Sequence, residues 1–478
     1  MSDDPRSRLD AAFDPEQFRI QGHRVIDELT DYLSASLRRE SDAVLPWKDP
    51  AQQVAEIAAF SEEPSEDLSE AVADVLQRAL RQHDPRCMGH QDAVPLPAAA
   101  LATLAASLLN NDPSTYEIAP GAVALERRIL RWTMDEIGYP ATSEGILTSG
   151  GSLGNLTALL AARQSRAGFD LWDVGDHGGP PLCVLVSSQI HYCVGRAVQM
   201  MGWGHDGAVT VPVDDQFRLQ IDELPGALER AQRAGRKVVA VVASAGTTAS
   251  GSFDQLEPIA DFCEANGLWL HVDGAHGASA ILSPTHRHLV AGIERADSVV
   301  WDAHKMMMMP SLMTMVLFRD GRHSYQTFRQ EATYLFDGRP EEEWYNAGNR
   351  TVECTRPAMS VRLHTALRVH GIGVFREYVT RCFDLGLRFG ELIEAANDFE
   401  LAVVPQSNIV CFRYAPSDVV DLDALQGRVR KRIVHGGRFF LVDAELNGEL
   451  WLRTTLMNPL TDSRDLEQLL DEIRLAAS

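Results

Sequence analysis

Residues 268–276 read LWLHVDGAH and residues 298–305 read SVVWDAHK, and these two stretches decide the fold. Each begins as a short apolar run and then turns abruptly to ionisable residues, Asp273 in the first and Lys305 in the second. Short apolar runs of this kind predict buried strands. In open α/β sheets, ligands bind beyond the carboxyl ends of the strands. We therefore expect Asp273 and Lys305 to face one cavity.

The same pattern occurs three more times towards the N-terminus. Strands are predicted at 146–148, 184–186 and 238–243, and each is followed by small or polar residues, including Gly150, His191 and Thr248. Helical patterns at 155–166 and 256–266 lie between the strands. This alternation predicts βαβ units and a mainly parallel sheet, with a further strand at 315–318. Five strands would then bring polar side chains to one rim.

The flanking regions differ from this central pattern. Residues 1–90 are predicted to form a helical arm with too little apolar periodicity for a core of its own, and residues 91–370 to form the large domain. Residues 371–478 are predicted to form a smaller α+β domain. Its predicted elements are a helix at 375–396, strands at 409–413, 439–442 and 450–454, and a final helix from near Asp462.

Composition excludes several classes of protein. The chain has 478 residues, 45% of them hydrophobic and 23% charged, which is typical of a globular protein. Its net charge of −23 argues against a nucleic acid or an anionic membrane as partner. The N-terminus lacks the pattern of a secretory signal, and the seven cysteines are widely spaced. We expect free thiols, a cytoplasmic location and no metal site.

The residues after the predicted strands favour one cofactor. Gly150 and Gly151, ahead of a predicted helix, suit a phosphate group. Asp273, at a buried strand end, needs a cation or donors, and a protonated pyridine nitrogen would satisfy it. Lys305 is an amine placed to form a Schiff base. Each feature alone also fits a structural role, but together they favour pyridoxal 5'-phosphate, with His191 against its ring and His304 near its phosphate.

The chain also resembles a known family, the group II pyridoxal phosphate-dependent amino acid decarboxylases, and most closely the branch of glutamate and cysteine sulfinate decarboxylases. The resemblance extends from about residue 80 to the C-terminus. The motifs that carry it are Thr115-Tyr116-Glu117-Ile118-Ala119-Pro120, Ser149-Gly150-Gly151-Ser152, His191-Tyr192, Gly246-Thr247-Thr248 with Phe253-Asp254, residues 268–273, His304-Lys305-Met306-Met307, Tyr334-Leu335-Phe336, Trp344-Tyr345-Asn346-Ala347-Gly348-Asn349-Arg350, and Leu452-Arg453 with Asn458-Pro459.

The resemblance implies the α/β architecture called fold-type I, with a mainly parallel seven-stranded sheet, and a homodimer with its sites at the subunit interface. It implies that Lys305 binds the cofactor covalently, that Asp273 pairs with the pyridine nitrogen and that His191 stacks on the ring. The implied cofactor-binding residues also include Gly151, Ser152, Thr248, Ala275 and His304. Tyr345, on a mobile loop, would protonate Cα after carbon dioxide leaves. Arg453 and Gln91 would contact the substrate.

The chain departs from the family pattern at Cys87, Cys193, His276 and residues 308–310, which bear on the pocket for the substrate side chain. The first hypothesis is decarboxylation of an acidic L-amino acid. Diaminobutyrate or an aromatic amino acid is the less favoured alternative substrate. The second hypothesis is decarboxylation with oxidative deamination to an aldehyde, or other Cα lyase chemistry. The third is a non-catalytic binding protein on the same scaffold.

Overall fold

The computed structural model describes residues 5–60, 62, 67–175, 178–328 and 343–478, with side chains from residue 8 onward. The motif Tyr334-Leu335-Phe336 lies outside the described residues. None of the helices in these ranges is both long and apolar enough to cross a bilayer.

The helices of the described chain follow local start and stop signals. Asp14 caps the first long helix ahead of Pro15, and Asp462 caps the last helix through a reciprocal capping box with Asp465. In chain order the helices are α1 (Pro5–Ala12), α2 (Pro15–Leu37), α3 (Pro50–Ala55), α4 (Leu68–Arg78), α5 (Pro97–Leu109), α6 (Pro120–Ile137), α7 (Gly151–Arg166), α8 (Leu171–Val174), α9 (Tyr192–Met200), α10 (Leu224–Arg233), α11 (Leu256–Asn266), α12 (Arg322–Thr327), α13 (Ser360–Glu394), α14 (Leu422–Gly436) and α15 (Ser463–Ala477).

The strands form two sheets. In chain order they are β1 (Glu144–Thr148), β2 (Leu182–Ser187), β3 (Ala208–Val211), β4 (Lys237–Ser244), β5 (Trp269–Asp273), β6 (Ser298–Asp302), β7 (Thr314–Phe318), β8 (Phe399–Leu401), β9 (Ile409–Tyr414), β10 (Val442–Leu446) and β11 (Glu449–Thr455). The large sheet has seven strands in the order β1-β7-β6-β5-β4-β2-β3, and the smaller one has the order β10-β11-β9-β8.

The large sheet is parallel except at β7, which runs antiparallel to both of its neighbours, β1 and β6. Strands β2, β5, β6 and β7 are buried along their whole length. One apolar cluster covers one face, with Ile259 and Met315 among its members, and a second covers the other face, with Leu159 and Val194. Helices on both faces of a mainly parallel sheet confirm the predicted α/β class.

The smaller sheet is antiparallel and packs against α14, α15 and the second half of α13 through a separate apolar cluster, which includes Phe389, Phe412, Val429 and Leu469. Helix α13 begins at Ser360, well before the predicted start at 375, and its backbone breaks at Gly371, where φ is 71°. This break lies where the sequence predicts the boundary between the two domains.

One predicted strand is wrong. The run at 439–442 was expected to be a strand, but the strand begins only at Val442. The reason is a competing partner: the backbone of Phe440 bonds with Arg86 and Met88 of the N-terminal region instead. Two short strands were not predicted, β3 and β8. Their four and three residues are too few to show a periodic pattern.

The N-terminal helices leave apolar side chains in solvent. On α2, Phe18, Ile26 and Leu29 are exposed, and on α5 Leu101, Leu104, Leu108 and Leu109 are exposed.

Candidate active site

The carboxyl ends of β1, β2, β4, β5 and β6 surround one cavity of about 290 Å³. All of the residues expected to bind the cofactor line it. The complete lining consists of Ser149, Gly150, Gly151, Ser152, Asn155, His191, Cys193, Ser244, Gly246, Thr247, Thr248, Asp273, Ala275, His276, Asp302, His304, Lys305 and Leu312. The prediction that five successive strand ends share one rim is therefore confirmed.

The turn between β1 and α7 forms one wall. Gly150 has φ 111° and ψ 155°, a conformation that favours glycine. Gly151 begins α7, and a Cβ placed on it would lie 3.0 Å from the Asp302 carboxylate. The first backbone N–H groups of this 16-residue helix have no acceptor within the helix. The turn thus presents unshielded backbone donors at the positive end of a helix dipole, which suits an anionic group.

Asp273 ends β5 with its carboxylate largely buried. Its Oδ2 accepts a hydrogen bond from Asn155 Nδ2 at 3.0 Å, and its Oδ1 accepts one from the Ala275 backbone N–H at 3.2 Å. A buried carboxylate costs free energy unless donors or a cation compensate it. These two donors hold the carboxylate in place at the wall of the cavity.

Lys305 lies one turn beyond the end of β6. Its Nζ is 3.3 Å from Asp302 Oδ2, and Thr314 donates a 2.6 Å hydrogen bond to the other oxygen of the same carboxylate. The His304 ring lies beside them, with Nε2 3.6 Å from Asp302 and Nδ1 2.9 Å from the Met313 carbonyl. An ion pair therefore orients the Lys305 amine within the cavity.

His191 caps α9 and accepts a hydrogen bond from the Cys193 backbone N–H at its Nδ1. Burial lowers the pKa of His191, which favours the neutral ring. Burial, with the nearby Asp273 carboxylate, raises the pKa of Cys193 to about 12. The Cys193 side chain is therefore a neutral thiol in the wall of the cavity.

Three residues expected to act on the substrate are not part of the cavity lining. Arg453 lies at its edge, where it donates a 2.8 Å hydrogen bond to the carbonyl of Thr248. Gln91 is buried elsewhere, and its Nε2 has no hydrogen-bond partner among the described residues. The Tyr345 ring packs edge-on against Tyr116, with 5.6 Å between ring centroids, in a narrow crevice beside α6. Within one chain, the structure does not bring Tyr345 to Lys305.

Sequence reasoning missed three cavity residues. Asp302 directly follows a buried apolar run, so the rule that selected Asp273 would also have selected it. Asn155 lies inside a helix and carries no comparable signal. His276 was noted only as a departure from the family pattern, and it is buried at the cavity wall, with Nε2 2.8 Å from Asn408 Oδ1. Asn408 precedes β9, so this contact joins the cavity to the smaller sheet.

These residues fit pyridoxal phosphate. An amine, a buried carboxylate, a neutral imidazole and a glycine turn at a helix N-terminus provide a group for its aldehyde, its pyridine nitrogen, its ring face and its phosphate, respectively. A Cβ on Gly151 would crowd the Asp302 carboxylate, so the absence of a side chain here keeps the backbone N–H groups of the turn close to the cavity.

Comparison with known proteins agrees with the site. The profile of the pyridoxal-dependent decarboxylase conserved domain matches residues 50–415. The chain is 31% identical to an aromatic-L-amino-acid decarboxylase of Bacillus atrophaeus, with 79% of this chain and 78% of that enzyme covered. It is 31% identical to the cysteine sulfinic acid decarboxylase of Homo sapiens, with 79% and 77% covered.

A solved structure is similar over nearly the whole chain. The crystal structure of mouse CSAD has a TM-score of 0.90 at 27% sequence identity, and the match covers 97% of this chain and 100% of that one. The chain therefore belongs to the pyridoxal-dependent decarboxylase family and is a pyridoxal phosphate-dependent amino acid decarboxylase.

Proposed function

We propose that the enzyme converts an acidic L-amino acid, such as aspartate, glutamate or cysteine sulfinate, to the corresponding amine and carbon dioxide. The observation that carries the acidic preference is Arg453, a cation that would pair with the anionic group of the substrate side chain. Its guanidinium lies at the cavity edge, and its Nε has no hydrogen-bond partner among the described residues. Burial lowers the pKa of Arg453, because removing its charge from water costs free energy, and a substrate anion at the cavity edge would offset that cost. Relatives named for cysteine sulfinic acid and for acidic amino acids support the same substrate class.

The residues of the cavity divide the chemistry between them. Lys305 holds the cofactor through its Nζ, and Gly151, Ser152 and His304 hold the phosphate end. Asp273 keeps a proton on the pyridine nitrogen, and the neutral His191 ring covers one face. The bound cofactor supplies an electron sink for the pair left at Cα when carbon dioxide departs. Thr248 and Ala275 form the remaining contacts with the ring.

The substrate-side residues set orientation and deliver the proton. Arg453 pairs with a substrate carboxylate, and such a fixed contact converts binding free energy into alignment of the bond to be broken. Tyr345 donates its phenolic proton to Cα in the final step. The expected contact of Gln91 with the substrate finds no support within one chain, because this side chain is buried outside the cavity lining.

We infer that two chains form the working enzyme. Tyr345 packs away from the cavity of its own chain, so a partner subunit is the source of a tyrosine that reaches the cavity. The exposed apolar side chains of α2 and α5 supply a surface for such a partner. The proposed organisation is an arm at 1–90 that serves dimerisation, a large domain at 91–370 and a small domain at 371–478. The proposed location is the cytoplasm.

A second substrate class has its own support. The similarity to the aromatic-L-amino-acid decarboxylase of Bacillus atrophaeus is as high as the similarity to the human cysteine sulfinic acid enzyme. His276, buried against Asn408, makes the cavity wall polar beside Ala275. A polar wall suits a small polar substrate side chain better than an aromatic one. We therefore favour acidic amino acids over aromatic amino acids as substrates.

The test is an incubation of the purified holoenzyme with aspartate, glutamate, cysteine sulfinate, diaminobutyrate and the aromatic amino acids. Carbon dioxide, ammonia and organic products are followed by mass spectrometry. We expect carbon dioxide and a primary amine from one acidic substrate. Turnover of aromatic substrates alone would contradict the acidic preference. Ammonia with an aldehyde product would contradict simple decarboxylation and favour oxidative deamination.

A further inference from the structure

A line of four buried polar side chains lies behind Asp273, away from the cavity mouth. Trp269, His271 and Asp273 occupy alternate positions of β5 and therefore share one face of the sheet. Ser298 begins β6, in register with His271. Asn155 reaches this face from α7. Asp273 and Asn155 border the cavity, and every one of these residues except Asp273 is at most 1% exposed.

Consecutive members of this line are within hydrogen-bond distance. Trp269 Nε1 donates to Ser298 Oγ at 2.8 Å, and that hydroxyl is 2.9 Å from His271 Nδ1. His271 Nε2 is 2.8 Å from Asn155 Oδ1. Asn155 Nδ2 then donates to Asp273 Oδ2 at 3.0 Å. The line is continuous from an indole to the carboxylate in the cavity.

Only one direction of donation satisfies every group. The Asp273 carboxylate accepts, so the Asn155 amide must turn its NH₂ towards it and its carbonyl oxygen towards His271. His271 Nε2 must then carry a hydrogen, and its Nδ1 accepts from the Ser298 hydroxyl. That leaves the Ser298 oxygen free to accept from Trp269, whose indole only donates. Every donor in the line points towards Asp273.

The opposite direction is excluded by its final contact. With the Asn155 amide reversed, its carbonyl oxygen would face the Asp273 carboxylate oxygen at 3.0 Å, two acceptors with no hydrogen between them. Complete burial lowers the pKa of His271 to about 4, which agrees with a neutral ring that donates at one nitrogen and accepts at the other.

We propose that Asn155 and His271 are positioning residues for Asp273: the directed line of donors fixes the orientation of this carboxylate and aims it at the cofactor's pyridine nitrogen. The inference rests on the proposed role of Asp273. Hydrogen bonds arranged head to tail in a dry interior polarise one another, so the donor at Asn155 is strengthened by the groups behind it. Neither residue is required to touch substrate or cofactor for this effect.

The experiment compares variants by the affinity of the apoenzyme for pyridoxal phosphate, measured by fluorescence titration, together with kcat and KM. His271→Phe keeps a planar ring but removes both hydrogen bonds. His271→Gln keeps a group that donates to Asn155 and accepts from Ser298. We expect His271→Phe to weaken cofactor binding and lower kcat by about 3- to 10-fold, the usual effect of losing a hydrogen bond between neutral groups, with KM unchanged. His271→Gln should restore most of both.

Two further variants separate the alternatives. His286→Phe removes another buried histidine, one that contacts Asp384 at 2.7 Å outside the cavity, and reports the general effect of such a change. Asp273→Asn tests the proposed role of the carboxylate directly. If Asp273→Asn weakens cofactor binding but His271→Phe behaves like His286→Phe, the positioning role is wrong while the role of Asp273 stands. If Asp273→Asn has no effect, the role of Asp273 itself is wrong.

A variant in α7 covers the case in which His271→Phe does not fold. Asn155→Ala removes the last donor of the line without altering β5, and thermal unfolding shows whether the protein is intact. We expect cofactor binding to weaken at least as much as in His271→Phe, because Asn155 donates directly to the Asp273 carboxylate. Cofactor affinity equal to that of the parent enzyme, or a His271→Gln variant as impaired as His271→Phe, would overturn the proposal.

Discussion

The two sides of the site are built in different ways. The cofactor side comes from the ends of five strands of a single hydrogen-bonded sheet, so its residues are neighbours as soon as the sheet exists. The substrate side that we propose draws Arg453 from the smaller sheet and Tyr345 from the segment after residue 342. The comparison teaches that cofactor binding needs one folded sheet, whereas substrate handling also needs the smaller sheet and, by our proposal, a second subunit.

The largest effect should come from the cofactor side. Lys305→Ala removes the amine that orients the cofactor, and we expect turnover to fall by about 10³-fold or more while the protein stays folded. Carbon dioxide release and the visible absorption of the bound cofactor measure this. Lys237→Ala is the matched control, because this lysine lies at the other end of β4 and donates to the Ala167 carbonyl. Normal turnover by Lys305→Ala would contradict the assignment of Lys305 as the residue that binds the cofactor.

The next effect tests whether the substrate side spans two subunits. Tyr345→Phe should lower kcat by about 10²-fold, the usual contribution of a positioned proton donor, and increase the share of aldehyde. When Tyr345→Phe and Lys305→Ala subunits are mixed and allowed to exchange, half of the dimers are hybrids with one intact site. Activity should then return to about a quarter of the parent value.

No recovery in the mixed sample, with subunit exchange shown by native mass spectrometry, would mean that Tyr345 does not act across the interface. Tyr116→Phe is the control, because this ring packs against Tyr345 and is exposed to solvent. Its loss of a hydroxyl should leave turnover near the parent value.

A smaller effect should separate substrate binding from cofactor binding. Arg453→Met removes the charge at the cavity edge, so KM for an acidic substrate should rise by about 10- to 100-fold while the affinity for pyridoxal phosphate stays unchanged. Arg413→Met is the matched control, because this residue lies on the neighbouring strand and pairs with Glu400 and Glu449 instead. A lower affinity for pyridoxal phosphate with an unchanged KM would mean that Arg453 serves cofactor binding and not substrate binding.

The cofactor side of the site could be predicted from the sequence, whereas the substrate side could not. The residues at the strand ends were predictable, because a short apolar run followed by Asp273 or Lys305 is a local signal. The placement of Tyr345 against Tyr116 depends on packing between segments far apart in the chain, and no local pattern records it. The strand expected at 439–442 failed for the same reason, since the N-terminal segment around Met88 takes the backbone bonds of Phe440.

The smallest effect concerns stability, at the residue that joins the two sides. Burial, assisted by the positive charges of Lys305 and Arg453, lowers the pKa of His276 to about 3, although its hydrogen bond with Asn408 opposes this. An unfolded histidine has a pKa near 6.5. Between these two pKa values the unfolded chain binds more protons than the folded chain. The contribution of His276 to the free energy of unfolding is therefore complete above about pH 6.5 and is lost as the pH falls below it.

At pH 5 the loss attributable to His276 should be about 2 kcal/mol. Equilibrium urea unfolding of the parent and of His276→Gln at pH 7.5 and pH 5 measures it. The glutamine variant keeps a donor for Asn408 but does not titrate, so its stability should change less between the two pH values. An equal change in both proteins would contradict a buried neutral His276.

The antiparallel strand β7 also has a consequence for the order in which the protein is made. In the described sheet β1 bonds only to β7, and Thr148 faces Thr314, 166 positions later in the chain. At 5 to 20 residues per second, a ribosome needs roughly 10 to 30 s to synthesise that interval. During this time the glycine turn after β1 exists but has no strand beside it to fix its position. The cradle for the phosphate is thus translated before the other strand ends of the cofactor side, but it gains its neighbouring strand only when the last strand of the large sheet has been made.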